Sequence, residues 1–295
     1  SGEKRDLIKA VAQTLSEALG HIEARARTTH MNQMLRTITR VNHLIVREKT
    51  AYRLGQKACE LLVNSRDIES AWILLAGSSG REASLAHAGL EKKTVALFSK
   101  RLKETPLPGC MRRAENKKAP VIIKNPDVDC VDCPLHRVSS AAARFVVPLV
   151  HAGEHQGFLG VCLPPDFTEN NEEISLLEEI AGDLSLALHG ISTQTTLNRQ
   201  QNLLAEAEKL THTGAWEWDI RKDRFYFSEN WRRIHGTTEH WLPIDKLLAI
   251  VHPEDRERLR RTWREAAGNG RAFSIEHRTV RRDTGEARFV ESFGR

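Results

Sequence analysis

Apolar residues recur every three or four positions through the first fifty residues. Ile8, Val11, Leu15, Ala18 and Ile22 make one such set, and Met31, Met34, Ile38, Val41 and Ile45 a second. Each is a heptad seam, the pattern of a helix that buries one stripe. The two sets fall out of phase across the polar stretch ARARTTH, and a slip of that kind locally rewinds a coiled coil or bends a rod. A third seam, Leu177, Ile180, Leu184, Ala187 and Ile191, runs through a helical segment from Glu172 to Leu204, with Leu197 and Leu204 extending it. The two helical regions also match each other: LSEALGHIE at Leu15 pairs with LSLALHGIS at Leu184, and MNQML at Met31 with QQNLL at Gln200 at the same offset. Such a repeat predicts two exit helices of similar modules, the first belonging to a module upstream of this chain.

Between these helices the period changes. AYRLGQKACELLVNS continues as helix, and AWILLAG and EASLAHAG follow as strands joined at SSGR. A helix through EKKTVALFSKRLKE is broken by TPLPGC. VIIKN is a short strand, DVDCVDCPLHR a loop, and SSAAAR is expected as a short helix. ARFVVPLV and FLGVCLPP are strands around the turn HAGEHQG, apolar throughout as in a sheet covered on both faces. After Leu210 the pattern alternates. WEWD and RFYFS pair across RKD, ENWRRIHG is a short helix ended by Gly236, and a longer helix begins after His252-Pro253. Glu254 and Asp255 fall in its first turn, where negative charge suits the helix dipole, and Gly268 and Gly270 end it. AFSIEHRTVRR, the turn DTG and ARFVESFGR form a last hairpin. The fold class is α+β, with antiparallel sheets, flanking helices and long connecting helices.

Composition narrows the function. The chain has 295 residues, 40% hydrophobic and 28% charged, enough for two domains with ordinary cores. No apolar run is long enough to span a membrane and no signal peptide opens the chain, so the expectation is a cytoplasmic protein with no membrane partner. Ser1-Gly2 without a methionine resembles a cloning remnant and predicts a piece of a longer protein. The net charge of +5 is spread out, and the basic runs RRTWRE and TVRRDTGEAR are broken by acidic residues, so no nucleic-acid partner is expected. Five cysteines, an odd number, argue against a secreted disulfide framework.

The order of elements from Arg40 to Ile191, with FVVPLVHAGEHQGFLGVCLPP and the exit helix EEISLLEEIAGDLSLALH, resembles a GAF domain. The DxxCxxCPL loop is similar to that of GAF modules in multi-domain bacterial and archaeal sensor kinases. Thr213 to Arg295, with GxWEWDI, VHPEDR and TVRRDTGEARFVESFGR, resembles a PAS domain that stops one strand short of the usual sheet. The expected organisation is an N-terminal helix over 1–39, a GAF domain over 40–191, a helical linker over 192–212 and a PAS domain over 213–295. The resemblance implies a sensory and signal-relay chain of a cytoplasmic histidine kinase. It would bind a small-molecule signal and form a homodimer through parallel helices. It would act on a downstream kinase domain and response regulator, with a diguanylate cyclase as the alternative output. No phosphoacceptor His-Glu dipeptide, Walker A or GxGxxG element occurs, so no catalysis and no catalytic residue is expected here.

DVDCVDCPLHR is the first candidate site. Cys130 and Cys133 have metal-ligand spacing, and Cys110 could add a third sulfur, with His136 as a further ligand. Asp127, Asp129 and Asp132 surround the pair with negative charge, which raises a thiol pKa and opposes redox reactivity, but metal-, haem- or thiol-based redox sensing through Cys110, Cys130 and Cys133 stands as the alternative function. The resemblance implies haem as a second possibility, through Cys133 with Cys130 as a further candidate, since Cys-Pro dipeptides resemble haem-regulatory motifs. Cofactor-binding candidates are therefore Cys130, Cys133, His136 and Arg137, and metal candidates Cys110, Cys130 and Cys133. The competing reading is a loop whose cysteines pack as small apolar side chains while its aspartates cap turns. His87, His151 and His155 could line a pocket, and Arg144 could hold an anion. Trp216, Trp218, Phe225, Phe227 and Trp231 look like a cofactor box, but alternating aromatics on paired strands more often pack on each other. His252 before Pro253 is expected to be structural.

Overall fold

The computed structural model describes residues 13, 18, 20, 21, 32, 34–65, 68–77, 83–104, 107–130, 133–137, 143–164 and 171–295, and the chain divides into two units, 1–195 and 196–295. Most of the first heptad seam lies outside the described residues.

In the first unit, helix α1 (34–47) is followed by α2 (Ala51–Val63) and strands β1 (Ser70–Leu75) and β2 (Ser84–Ala88). Then come α3 (Lys92–Leu102), α4 (Gly109–Lys117), β3 (Val121–Ile123), the single turn α5 (Pro126–Asp129) and a 3-10 turn (Pro134–Arg137). Strands β4 (Ala143–His151) and β5 (Glu154–Leu163) precede the long helix α6 (Asn171–Thr211). The five strands form one antiparallel sheet in the order β2-β1-β5-β4-β3. Every residue of β1 is buried, as the unbroken apolar run predicts for a strand covered on both faces. Ala143 and Arg144 belong to β4, so the end of SSAAAR is strand rather than helix; residues 139–142 are outside the described ones.

Side chains alternate across a strand, and the alternation here separates two cores. Ile73, Phe145, Val147, Leu159 and Val161 face α1, α2 and α6, where Leu54, Leu62, Leu177, Ile180 and Leu184 are buried. Trp72, Leu74, Val146 and Phe158 face the other way, onto α3, α4 and the 125–137 segment. Met34, Ile38 and Val41 also belong to the first core, which therefore takes residues upstream of position 40. That part of the second seam is spent inside the unit, with each fully buried side chain worth about 2 kcal/mol. The root of α6 is spent in the same way, but further along the helix Leu197, Leu203, Leu204 and Leu210 are exposed.

The second unit holds two small sheets. Strands β6 (Trp216–Asp219), β7 (Arg224–Phe227) and β8 (Trp241–Leu242) make one; β9 (Phe273–Val280) and β10 (Ala287–Gly294) make the other. β6 and β10 each carry one unpaired edge. Helix α7 (Glu229–His235) lies between β7 and β8 in sequence, and α8 (Ile244–Ala249) and α9 (Arg256–Asn269) lie between β8 and β9. Ser228 caps α7 by accepting from the Trp231 amide, and Gly236, the stop the sequence predicts, ends it at φ 66°. Helix α9 runs through Gly268 and stops at Gly270, the glycine with positive φ.

The carboxylate of Asp255 does more than complement a dipole. Its Oδ2 accepts from both the backbone amide and Nε of Arg278 on β9, each at 2.9 Å, while Arg278 Nη2 reaches Glu254 at 2.7 Å. The Arg278 hydrogen bonds hold the Asp255 carboxyl well below the usual carboxylate range. This clamp fixes the start of α9 to the second sheet. Asp255→Asn is expected to lower the unfolding midpoint of this unit by roughly 5 °C or more at neutral pH. Calorimetry checks it, and an unchanged midpoint would remove the clamp from the account.

Candidate functional site

The two cysteines of DVDCVDCPLHR do not sit on an open loop. Pro126 begins the single turn α5, where its fixed φ suits the first helical position, and the Cys130 amide closes that turn on the Pro126 carbonyl at 2.9 Å. The Cys133 amide then donates to the Cys130 carbonyl at 2.9 Å, and the 3-10 turn over Pro134–Arg137 lays Leu135 over the sheet. Cys110 comes from the first turn of α4, a helix the sequence reading does not anticipate, packed through Cys110, Met111 and Ala114.

All three cysteines are buried and line one cavity, with Trp72, Ile123, Leu135, Arg144 and Val146 among its walls. It encloses about 20 Å³, room for a single water-sized molecule. The neighbouring Cys130 thiol and burial together push Cys110 well above the usual thiol range. The neighbouring Cys110 thiol draws the Cys130 thiol below its ordinary value; burial opposes this, and the guanidinium groups of Arg144 and Arg113 add to it. At Cys130 these effects outweigh the described acidic neighbour, Asp129. Asp129 does act to raise the thiol pKa, but it also pairs with Arg113 at 3.4 Å. Asp132 and the side chains of Asp127, His136 and Arg137 lie outside the described residues.

Arg144 is buried on the same face as the cavity. Its Nη1 donates to the Cys162 sulfur at 2.8 Å and its Nη2 to the Leu135 carbonyl at 3.3 Å, so it braces the 3-10 turn rather than offering an open anion site. Burial raises the Cys162 thiol to about 11, keeping it protonated beside that guanidinium.

Among the described residues no group of three or more His, Cys, Asp or Glu side chains is arranged to hold a metal ion. Bound cofactors occupy pockets of about 300 Å³ or more, so a haem does not fit this cavity.

The remaining candidates lie apart from the thiols. His155 packs edge-on against Phe158 at 4.6 Å and burial lowers its pKa, while His151 stacks near His189 at 5.1 Å. His87 pairs its backbone amide and carbonyl with the Gln56 amide group. His252 approaches Glu254 at 3.9 Å beside the Asp255 clamp, a structural place.

The candidate aromatics Trp216, Trp218, Phe225, Phe227 and Trp231 belong to the core of the second unit or pack against it. Trp218 stacks on Phe225 at 5.0 Å, and Phe227, Trp231 and His235 stack in sequence at 3.7 Å each. A second cavity of about 20 Å³ opens among them, lined by Trp231, Trp263, His235, His277 and Thr279. The sequence reading misses both histidines, which stand as isolated residues in polar surroundings. The end of α6 is tied into this unit: Ser228 donates to the Glu208 carboxylate at 2.7 Å, and Asn230 donates to the Glu208 carbonyl at 2.8 Å.

Comparison with known proteins bears on both units. A GAF domain family model matches residues 48–189, and a PAS fold model matches residues 224–295. No curated protein matches the chain. Three solved structures illustrate the similarity. The A. aeolicus nlh2 GAF domain in an inactive state is 12% identical, covers 54% of this chain and 98% of its own, and has a TM-score of 0.43. The GAF domain of an Acinetobacter phosphoenolpyruvate-protein phosphotransferase is 17% identical, with 55% and 96% covered and a TM-score of 0.42. Free methionine-R-sulfoxide reductase from Neisseria meningitidis, in complex with its substrate, is 18% identical, with 55% and 91% covered and a TM-score of 0.40.

Proposed function

This chain belongs to the GAF and PAS families of sensory domains, and from that premise we propose that it is the sensing and relay part of a cytoplasmic two-component sensor histidine kinase. It has no catalytic step of its own. It works as a homodimer through parallel helices and passes a change in helix geometry to a downstream kinase domain and response regulator. Among the described residues no helix is long and apolar enough to cross a membrane.

One observation carries this reading. The GAF sheet holds the cavity of Cys110, Cys130 and Cys133 on one face and the root of α6 on the other. Strand residues one apart, such as Trp72 and Ile73 or Val146 and Val147, touch the two cores in turn. A small-molecule signal that shifts the cavity walls therefore moves the residues on which Leu177, Ile180 and Leu184 are seated. Packed cores pass such shifts on because they resist compression. Cys110, Cys130 and Cys133 are the proposed signal-responsive residues, with His136 and Arg137 on the adjoining turn.

The dimer supplies the test. Leu197 and Leu204 lie seven residues apart on an exposed part of α6, the spacing of a coiled-coil seam. Sedimentation velocity is expected to show a dimer, and L197E together with L204E to make it a monomer while leaving the unfolding midpoints of both domains in place. A wild-type monomer at high concentration would sink the relay reading.

A further inference from the structure

The cavity brings together three sulfurs that local sequence does not. Cys130 and Cys133 arrive on consecutive turns, and Cys110 arrives from a different helix to line the same cavity, all three buried in one cluster. Thiols that line one water-sized cavity need only close that gap to reach the bond length of about 2.05 Å in a disulfide. We propose that Cys110 and Cys130 form a reversible thiol–disulfide couple, in which Cys130 attacks a peroxide and Cys110 resolves the product. The proposal deepens the sensory reading, on which only its purpose rests, by naming the signal class at the cavity as a hydroperoxide.

Several features of the site favour this pair over the alternatives. The cavity admits a molecule of about the size of water, which suits hydrogen peroxide far better than an organic ligand. Arg144 and Arg113 are the cations that act on Cys130, and they favour the thiolate that does the attacking. Cys59 and Cys162 take no part. Cys59 lies in the core on the opposite face of the sheet, and Cys162 is held by Arg144 and Glu69. The sulfurs are buried under a cover. It includes the single turn Pro126–Asp129, on which Val128 and Asp129 are exposed, so a small opening of that turn admits the oxidant.

The chemistry balances without any further reagent. The Cys130 thiolate attacks one peroxide oxygen and an S–O bond forms as the O–O bond breaks. The hydroxide that leaves takes a proton and becomes water. Cys110 then gives up its proton and attacks the Cys130 sulfur, an S–S bond forms, and the sulfenic oxygen departs as a second water. Two thiols lose two electrons and two protons, and the peroxide is reduced to two waters. A cellular dithiol reverses the step by exchange. The new bond staples α4 to the turn that follows β3, both on the cavity face of the sheet.

Peptide mapping reads the connection directly. Trypsin separates Cys110, in Glu104–Arg112, from Cys130 and Cys133, which share Asn125–Arg137. The full chain, treated with stoichiometric hydrogen peroxide and then alkylated, is expected to yield these two peptides joined, with the mass lower by two hydrogens. Dithiothreitol should separate them. C133S should keep the link; C110S should lose it and leave Cys130 as a trapped sulfenic acid that reacts with dimedone. C110S is a small change at a buried thiol, and far-ultraviolet circular dichroism checks that it folds. A link confined within Asn125–Arg137 would overturn the assignment, as would thiols that resist peroxide in the folded chain. Thiols released only by a metal chelator would replace the couple with a metal site. A chain that forms the link but stays monomeric would keep this inference and sink the relay reading instead.

Discussion

Gly160→Ala is expected to destabilise the GAF unit by about 3 kcal/mol, near the upper end of what overpacking a core costs. Gly160 lies on β5 directly opposite Trp72 on β1, with Val146 of β4 on its other side. A Cβ built there would meet Cε2 and Cζ2 of the Trp72 indole at 2.1 Å, far inside contact distance. The ring has nowhere to go. It is 4% exposed, packs edge-on to Phe98 at 5.2 Å and forms a wall of the thiol cavity. The missing side chain at position 160 thus sets where that wall stands. Trp72→Leu removes the clashing atoms, so the double variant is expected to be more stable than Gly160→Ala alone. That non-additivity is the signature of a direct contact. Urea unfolding with amide exchange in β1 and β5 measures it. Costs that simply add would show that the indole moves aside and that the wall is soft.

Much of this architecture can be read in the sequence because its causes are local. The apolar runs AWILLAG, ARFVVPLV and FLGVCLPP could be satisfied only by a covered sheet, and the stripe from Leu177 to Ile191 only by a helix with one buried face. The capped helix at Ser228 and the positive-φ glycine at Gly236 are equally local. The cavity is not local. Helix α4 reads as a charged segment, since only Cys110, Met111 and Ala114 of its nine residues turn inward. The meeting of Cys110 with Cys130 then depends on how α4 and α5 fall on the sheet, which no spacing reveals. The thiol electrostatics invert for the same reason. The acidic neighbours of Cys130 are close in sequence, but Arg144, from a strand fourteen residues later, and Arg113, from α4, are close in space. Asp255 likewise finds Arg278, twenty-three residues away, a partner that a helix-dipole argument cannot name.

The PAS unit is expected to lose about 3 kcal/mol of stability as the pH falls from 6.5 to 4, before its carboxylates begin to protonate. His235 is 7% exposed, stacked on Trp231, with Nδ1 at 2.9 Å from the Trp231 carbonyl. Burial lowers its pKa to about 4, and His277 and Arg281 act in the same direction. His277, across the same cavity, is also lowered by burial, although Asp255 works against the shift. A base whose folded pKa lies below its unfolded value binds fewer protons when folded. Its contribution is complete above the unfolded value of about 6.5 and disappears as pH falls through the folded value. The depressed carboxylates Asp255, Glu254 and Asp283 also lose their contribution in acid, but only below the ordinary carboxylate range of about 4, so the two limbs separate. His235→Phe keeps an aromatic ring against Trp231 and cannot take a proton. It is expected to flatten the limb between pH 6.5 and 4 while leaving the limb below pH 4 unchanged, whatever it does to the stability at neutral pH. Thermal unfolding of the PAS unit across that range reads both limbs. An equally steep loss in His235→Phe would assign the acid sensitivity to His277 or to the GAF unit. A flat wild-type profile would mean that solvent reaches His235 through the cavity beside Trp231.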